Sequence, residues 1–149
     1  MFKHAHKIAA VVYMLWGAIH ILGGAAMMSA SMQGPNIFLQ MLSGNANDVF
    51  GAVQDRLGVQ ATTEVFAFHS FNIIWLGALA IAVALFLNWK NYRVGYWVNL
   101  AIVGFADLGL ILFMVVPGVM KISEAWIGPA LFAIAIFFST FARLRPSHT

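Results

Sequence analysis

Four long apolar stretches, each separated from the next by polar or turn-forming residues, constrain this 149-residue chain more than any other feature. They run from about Ile8 to Met28, Val65 to Leu87, Val94 to Val116 and Ala125 to Ala142. A hydrocarbon core of about 30 Å takes roughly 20 residues of helix at 1.5 Å each, so each stretch is a candidate span. Backbone groups in lipid must find partners within the segment, so the spans are expected to be helices. The composition agrees: 62% apolar and 9% charged residues fit neither an ordinary water-soluble domain nor a disordered chain. The absence of cysteine removes disulfides, thiolate metal sites and thiol nucleophiles together. A pI of about 9.6 does not imply nucleic acid as a partner, because the eight Lys and Arg residues form no single patch.

The distribution of those basic residues predicts orientation. Lys3, Lys7, Lys90, Arg93, Arg143 and Arg145 fall on one side of the spans, and only Arg56 and Lys121 on the other. Under the positive-inside rule both termini are then cytoplasmic, in a multi-pass protein of the plasma membrane. Trp89, Tyr92, Tyr96 and Trp97 fall at the expected inner interface and Trp126 at the outer one, as an aromatic belt requires. The basic start of the chain and Ser29-Ala30-Ser31 would also suit a cleaved signal peptide. The first apolar run, of roughly 21 residues, exceeds the 7–15 of a signal sequence, so four helices are expected rather than three.

One connection is long. In the outer segment 29–64, Gly34 and Pro35 break the chain and Asn36 can cap a short helix over Ile37 to Leu42. Ser43 to Asn47 reads as a turn, and Asp48 can cap a second amphipathic helix that Gly58 stops. The two pieces would lie on the outer surface, as a lid or as a plain connector. The other loops are short, which favours antiparallel neighbours and an all-α, up-down four-helix bundle forming one integral membrane domain. Ala78/Ala82, Ala80/Ala84 and Ala135/Ser139 are small-residue pairs suited to close helix packing.

Of the five acidic residues, only Asp107 falls inside a span. An ionisable group in a bilayer is costly and needs a partner, so it marks a candidate site. Asp107 lies nine residues, or about 13.5 Å, below the outer end of its span, and His20 eight residues, or about 12 Å, below the outer end of the first. The two are expected to meet inside the bundle. His69 and Asn72, about 6 Å and 10 Å deep on one face of the second span, extend the set toward the outer mouth. Glu64 and Glu124 stand near that mouth, while the inner half offers only Asn99, Ser139 and Thr140. Trp16 and Trp75 lie away from the interfaces and would pack the core or wall an apolar cavity. The set His20, His69, Asn72, Asp107, Trp16 and Trp75 therefore describes an outward-facing ligand pocket, with His20 and Asp107 as candidate acid–base groups. The competing account is a hydrogen-bonded pair that only fixes helix register.

His20, His69 and Asp107 on three helices could offer two imidazoles and a carboxylate to a metal, but no close-spaced ligand motif is present, so none is assigned as a metal ligand. A haem held by both His20 and His69 would need equal heights, and the depths differ by about 6 Å. A proton relay would need acids or histidines in the inner half. No phosphate loop, nucleophile elbow or zinc-protease signature is present.

Trp16-Gly17-Ala18-Ile19-His20-Ile21-Leu22-Gly23-Gly24, with Phe68-His69-Ser70-Phe71-Asn72, resembles small uncharacterised bacterial four-helix integral membrane proteins. The resemblance implies the architecture and carries no activity or cofactor. The sequence thus points to a membrane protein whose pocket takes a small apolar or lipid-like ligand such as a quinone or isoprenoid. Its alternatives are a non-catalytic accessory or assembly subunit, with a membrane protein partner or a second copy of itself, and a metal- or haem-binding redox protein.

Overall fold

A computed structural model describes residues 4–43 and 56–144. The described residues form helices joined by turns, with no strand among them. The helices are α1 (Ala5–Met32), α2 (Pro35–Ser43), α3 (Arg56–Val83), α4 (Arg93–Leu110), α5 (Ile122–Ala125) and α6 (Ile127–Leu144). A π-helical turn, Ala84–Asn88, continues α3, and another, Ile111–Val115, continues α4. Among the described residues, four helical lengths are long and apolar enough to cross a membrane: Ala5–Met32, Gly58–Asn88, Arg93–Val115 and Ile127–Leu144.

Residue pairings show an up-down bundle. The Lys7 ammonium at the start of α1 lies 5.4 Å from the Trp89 ring beyond the end of α3. Further along, Gly17 backs onto Gly77 and Gly24 onto Ser70, so α1 and α3 are antiparallel. Gly95 packs on Leu87 and Asn99 reaches back to Ala80, which reverses α4 against α3. Tyr96 meets Thr140, Gly104 meets Phe132 and Gly128 meets Asp107, which reverses α6 against α4. Helix α1 packs along both α3 and α6 and is the centre of the bundle. One end carries α2 and α5; the other carries the described ends of the chain.

Small residues make these contacts close, as expected where lipid supplies no hydrophobic drive between helices. A Cβ on Gly17 would lie 2.5 Å from the Gly77 carbonyl oxygen, and one on Gly77 2.6 Å from that of Gly17. Ala80, Ala84, Ala135 and Ser139 are buried as their spacing suggests, but Ala78 faces outward and Ala82 is half-buried. The crossing uses the face through Gly77, Ala80 and Ala84, which turns Ala78 away. Large apolar side chains cover the outside, Leu22, Phe105 and Phe113 among them. Such a surface suits acyl chains and not water.

The helices overrun their expected ends. Helix α1 continues through Ser29, Ala30 and Ser31 to Met32, because small polar residues at a membrane boundary do not break a helix. Gly34, at φ 115°, breaks the chain, and α2 begins at Pro35 rather than Ile37 because proline suits a first helical turn. Gly58 does not stop a helix: it lies near the start of α3, which begins at Arg56 and not at Val65. The Ser43–Asn47 turn and the helix expected after Asp48 lie almost wholly outside the described residues.

Candidate functional site

Helices α1, α4 and α6 converge on one polar group. Asp107 is 3% exposed, and its two carboxyl oxygens each lie 3.2 Å from the indole Nε1 of the fully buried Trp16. Indole nitrogen only donates, so one N–H is shared between two acceptor oxygens. His20, one turn along from Trp16, stacks on the indole with ring centres 3.6 Å apart at 21°. Its Nδ1 lies 2.8 Å from the Trp16 carbonyl oxygen. A carbonyl only accepts, so Nδ1 carries the proton and donates, and in the neutral ring Nε2 keeps a lone pair.

Room for this arrangement comes from Gly128 on α6. A Cβ there would lie 2.9 Å from Asp107 Oδ1, 3.4 Å from His20 Cε1 and 3.6 Å from Trp16 Nε1. His20 and Asp107 therefore stand at one level of the bundle, both beside Gly128. The direct His20–Asp107 hydrogen bond does not form. The indole takes the carboxyl and the backbone takes the imidazole, because Trp16 stands between them.

Beside this cluster, between α1, α3 and α4, lies a cavity of about 360 Å³. Trp16, His20, His69 and Asn72 contribute its polar lining, and the remaining walls are apolar, including Gly109, Phe105 and Phe113. Phe105 and Phe113 are also among the most exposed residues of the outer surface, so the cavity opens sideways between α3 and α4. Four of the six residues singled out from the sequence thus share one cavity. Asp107 does not line it and sits behind the Trp16 indole. Trp75 does not wall it either: it is exposed on α3, and its Nε1 donates to Asn72 Oδ1 at 2.9 Å. That bond occupies Oδ1 and leaves Nδ2 as the donor of Asn72.

The other half of the bundle is more polar than the sequence suggests. Asn99 Nδ2 donates to Asn88 Oδ1 at 2.9 Å and approaches the Ala80 carbonyl at 3.4 Å. The Tyr13 hydroxyl, Asn99 Oδ1, and Arg143 Nε and Nη2 are buried with no hydrogen-bond partner among the described residues. Asn88 meets Asn99 because it lies in the π-turn that ends α3 and is turned inward there. Comparison with protein-family models, curated proteins and solved structures finds no match to the chain.

Proposed function

We propose that the protein is a multi-pass plasma-membrane protein, with its termini in the cytoplasm, that binds a small, largely apolar or lipid-like ligand. The lateral cavity carries this reading. At about 360 Å³ it falls within the range of small-molecule sites. Its apolar walls, few polar groups and opening beside the outward-facing Phe105 and Phe113 suit a molecule that arrives through the bilayer. Three hydrogen-bonding positions distinguish candidate ligands: Nε2 of His20 accepts, Nδ2 of Asn72 donates, and His69 stands on the same helix one turn away. A hydroxyl or carbonyl on a flat apolar body, as in quinones and related isoprenoids, matches that pattern. Should the ligand also react, His20 is the group placed to take its proton, oriented by the Trp16 carbonyl and not by Asp107.

Filling the cavity tests the proposal. A Cβ on Gly109 meets nothing within 4 Å and Gly109 lines the cavity, so Gly109→Phe is the substitution chosen to fill it. Native mass spectrometry of the detergent-purified protein should show a co-purifying lipid-like mass that Gly109→Phe loses while its melting temperature is kept. A wild-type protein that carries no such mass, and takes up none from quinone- or isoprenoid-containing vesicles, would defeat the reading.

A further inference from the structure

A second chamber, about 380 Å³ in volume, lies at the end of the bundle that carries α2 and α5. Three thioethers line it from three separate elements: Met27 on α1, Met41 on α2 and Met120 in the connection before α5. His20 also lines it, together with Glu124. The chain has eight methionines and no cysteine, and Met27, Met28, Met32, Met41, Met114 and Met120 all fall toward this end. Thioether sulfur is therefore the only soft donor available, and it is concentrated around one chamber.

The imidazole is prepared for coordination. Its Nδ1–H is held by the Trp16 carbonyl, and its ring is pinned against the Trp16 indole. A ligating histidine characteristically donates its other ring N–H to such an acceptor, which fixes the tautomer and frees Nε2. The donor set then selects the ion. Among the described residues no group of three or more His, Asp or Glu converges, so zinc and the hard divalent cations lack their usual ligands. Neutral thioethers with one imidazole favour a soft ion. A single positive charge is also less costly than a double one in an apolar chamber. Glu124 supplies one carboxylate at the rim.

We propose that this chamber binds one soft monovalent cation, Cu(I), through the sulfurs of Met27, Met41 and Met120 and Nε2 of His20. The site goes beyond the lipid-like ligand and does not require it: His20 walls both chambers, so the cation and that ligand compete for the one Nε2 lone pair. The test is anaerobic titration of the detergent-purified full chain, with Cu(I) held by a chromogenic chelator. The wild type should withdraw one equivalent of Cu(I). Leucine conserves the volume of methionine, so Met41→Leu with Met120→Leu should keep the fold and weaken Cu(I) binding by at least about tenfold. Met28→Leu with Met32→Leu should bind as the wild type does, because neither residue lines the chamber. Gly109→Phe should also bind as the wild type does, which separates this site from the lateral cavity. A wild type that leaves the chelator fully loaded overturns the proposal, as does a Met41/Met120 variant, shown folded by circular dichroism, that binds undiminished.

Discussion

Tyr13 and Trp16 lie one turn apart on α1, both fully buried, and their polar atoms have opposite fates. The Trp16 N–H is spent on Asp107, whereas the Tyr13 hydroxyl has no hydrogen-bond partner among the described residues. A buried unpaired polar group costs about 1–3 kcal/mol, so Tyr13→Phe should leave stability unchanged or raise it by up to about 1 kcal/mol. Trp16→Phe removes the one donor to the buried Asp107 carboxyl found among the described residues and should cost about 2 kcal/mol or more. Thermal melting in one detergent compares the two variants directly. Gly128→Ala should resemble Trp16→Phe, because its methyl group would crowd Asp107 Oδ1. The chain has five tryptophans, so the Nε1–H of Trp16 is one of five indole signals in an amide-correlation NMR spectrum. That signal, assigned through Trp16→Phe, should move in Gly128→Ala while the other four stay in place. His20, Asp107 and Trp16 were legible in the sequence because ionisable groups in lipid are costly and helical rise converts position into depth. Gly128 was not legible, since a glycine's contribution is the space it leaves. Nor was the choice of Trp16 over His20 as the donor to Asp107, which depends on side-chain directions and not on depth.

At the scale of helices, two devices set the architecture, and only one shows in the residue pattern. The spans follow from apolar length, and neighbours alternate in direction because most connections are short. The crossing of α1 and α3 at Gly17 and Gly77 was less visible than the alanine pairs, because it depends on how α3 is rotated. A methyl group on Gly17 would meet the Gly77 oxygen at 2.5 Å and Ile81 Cγ1 at 2.7 Å. Gly17→Ala should therefore push the helices apart and cost about 1–3 kcal/mol. Gly23→Ala, whose methyl group meets nothing within 4 Å, should be neutral or stabilising by up to about 1 kcal/mol. Denaturation in mixed micelles should separate the two variants. The second device is the pair of π-turns that end α3 and α4. An i→i+5 turn departs from the 3.6-residue period on which helix faces are read, so residues beyond it point where the pattern does not predict. Asn88 is buried against Asn99 for this reason, and the turn Ile111–Val115 places Phe113 and Met114 in the wall of the lateral cavity.

For the whole molecule, the two ends of the bundle differ in charge and in what they hold. Lys7, Lys90, Arg93 and Arg143 gather at the end where α1 starts and α6 finishes, with Trp89, Tyr92, Tyr96 and Trp97 beside them. The opposite end carries the thioether-lined chamber, α2 and α5, and the polar rim of Glu124. Positive charge is retained on the cytoplasmic side in most membrane proteins, so the chamber should face away from the cytoplasm. The chain is well suited to a direct check, because it has no cysteine to mask before labelling. Ser123 and Lys90 are both exposed, one in α5 and the other in the turn between α3 and α4. A membrane-impermeant maleimide applied to intact cells should label Ser123→Cys and leave Lys90→Cys unmodified until the membrane is opened. Replacing Lys90 removes one of the four basic residues described at that end, so Asn91→Cys, which keeps every charge, serves as its control. Labelling of the α3–α4 turn in sealed cells would invert the molecule. The chamber, and any cation or ligand that reached the bundle from it, would then belong to the cytoplasmic side.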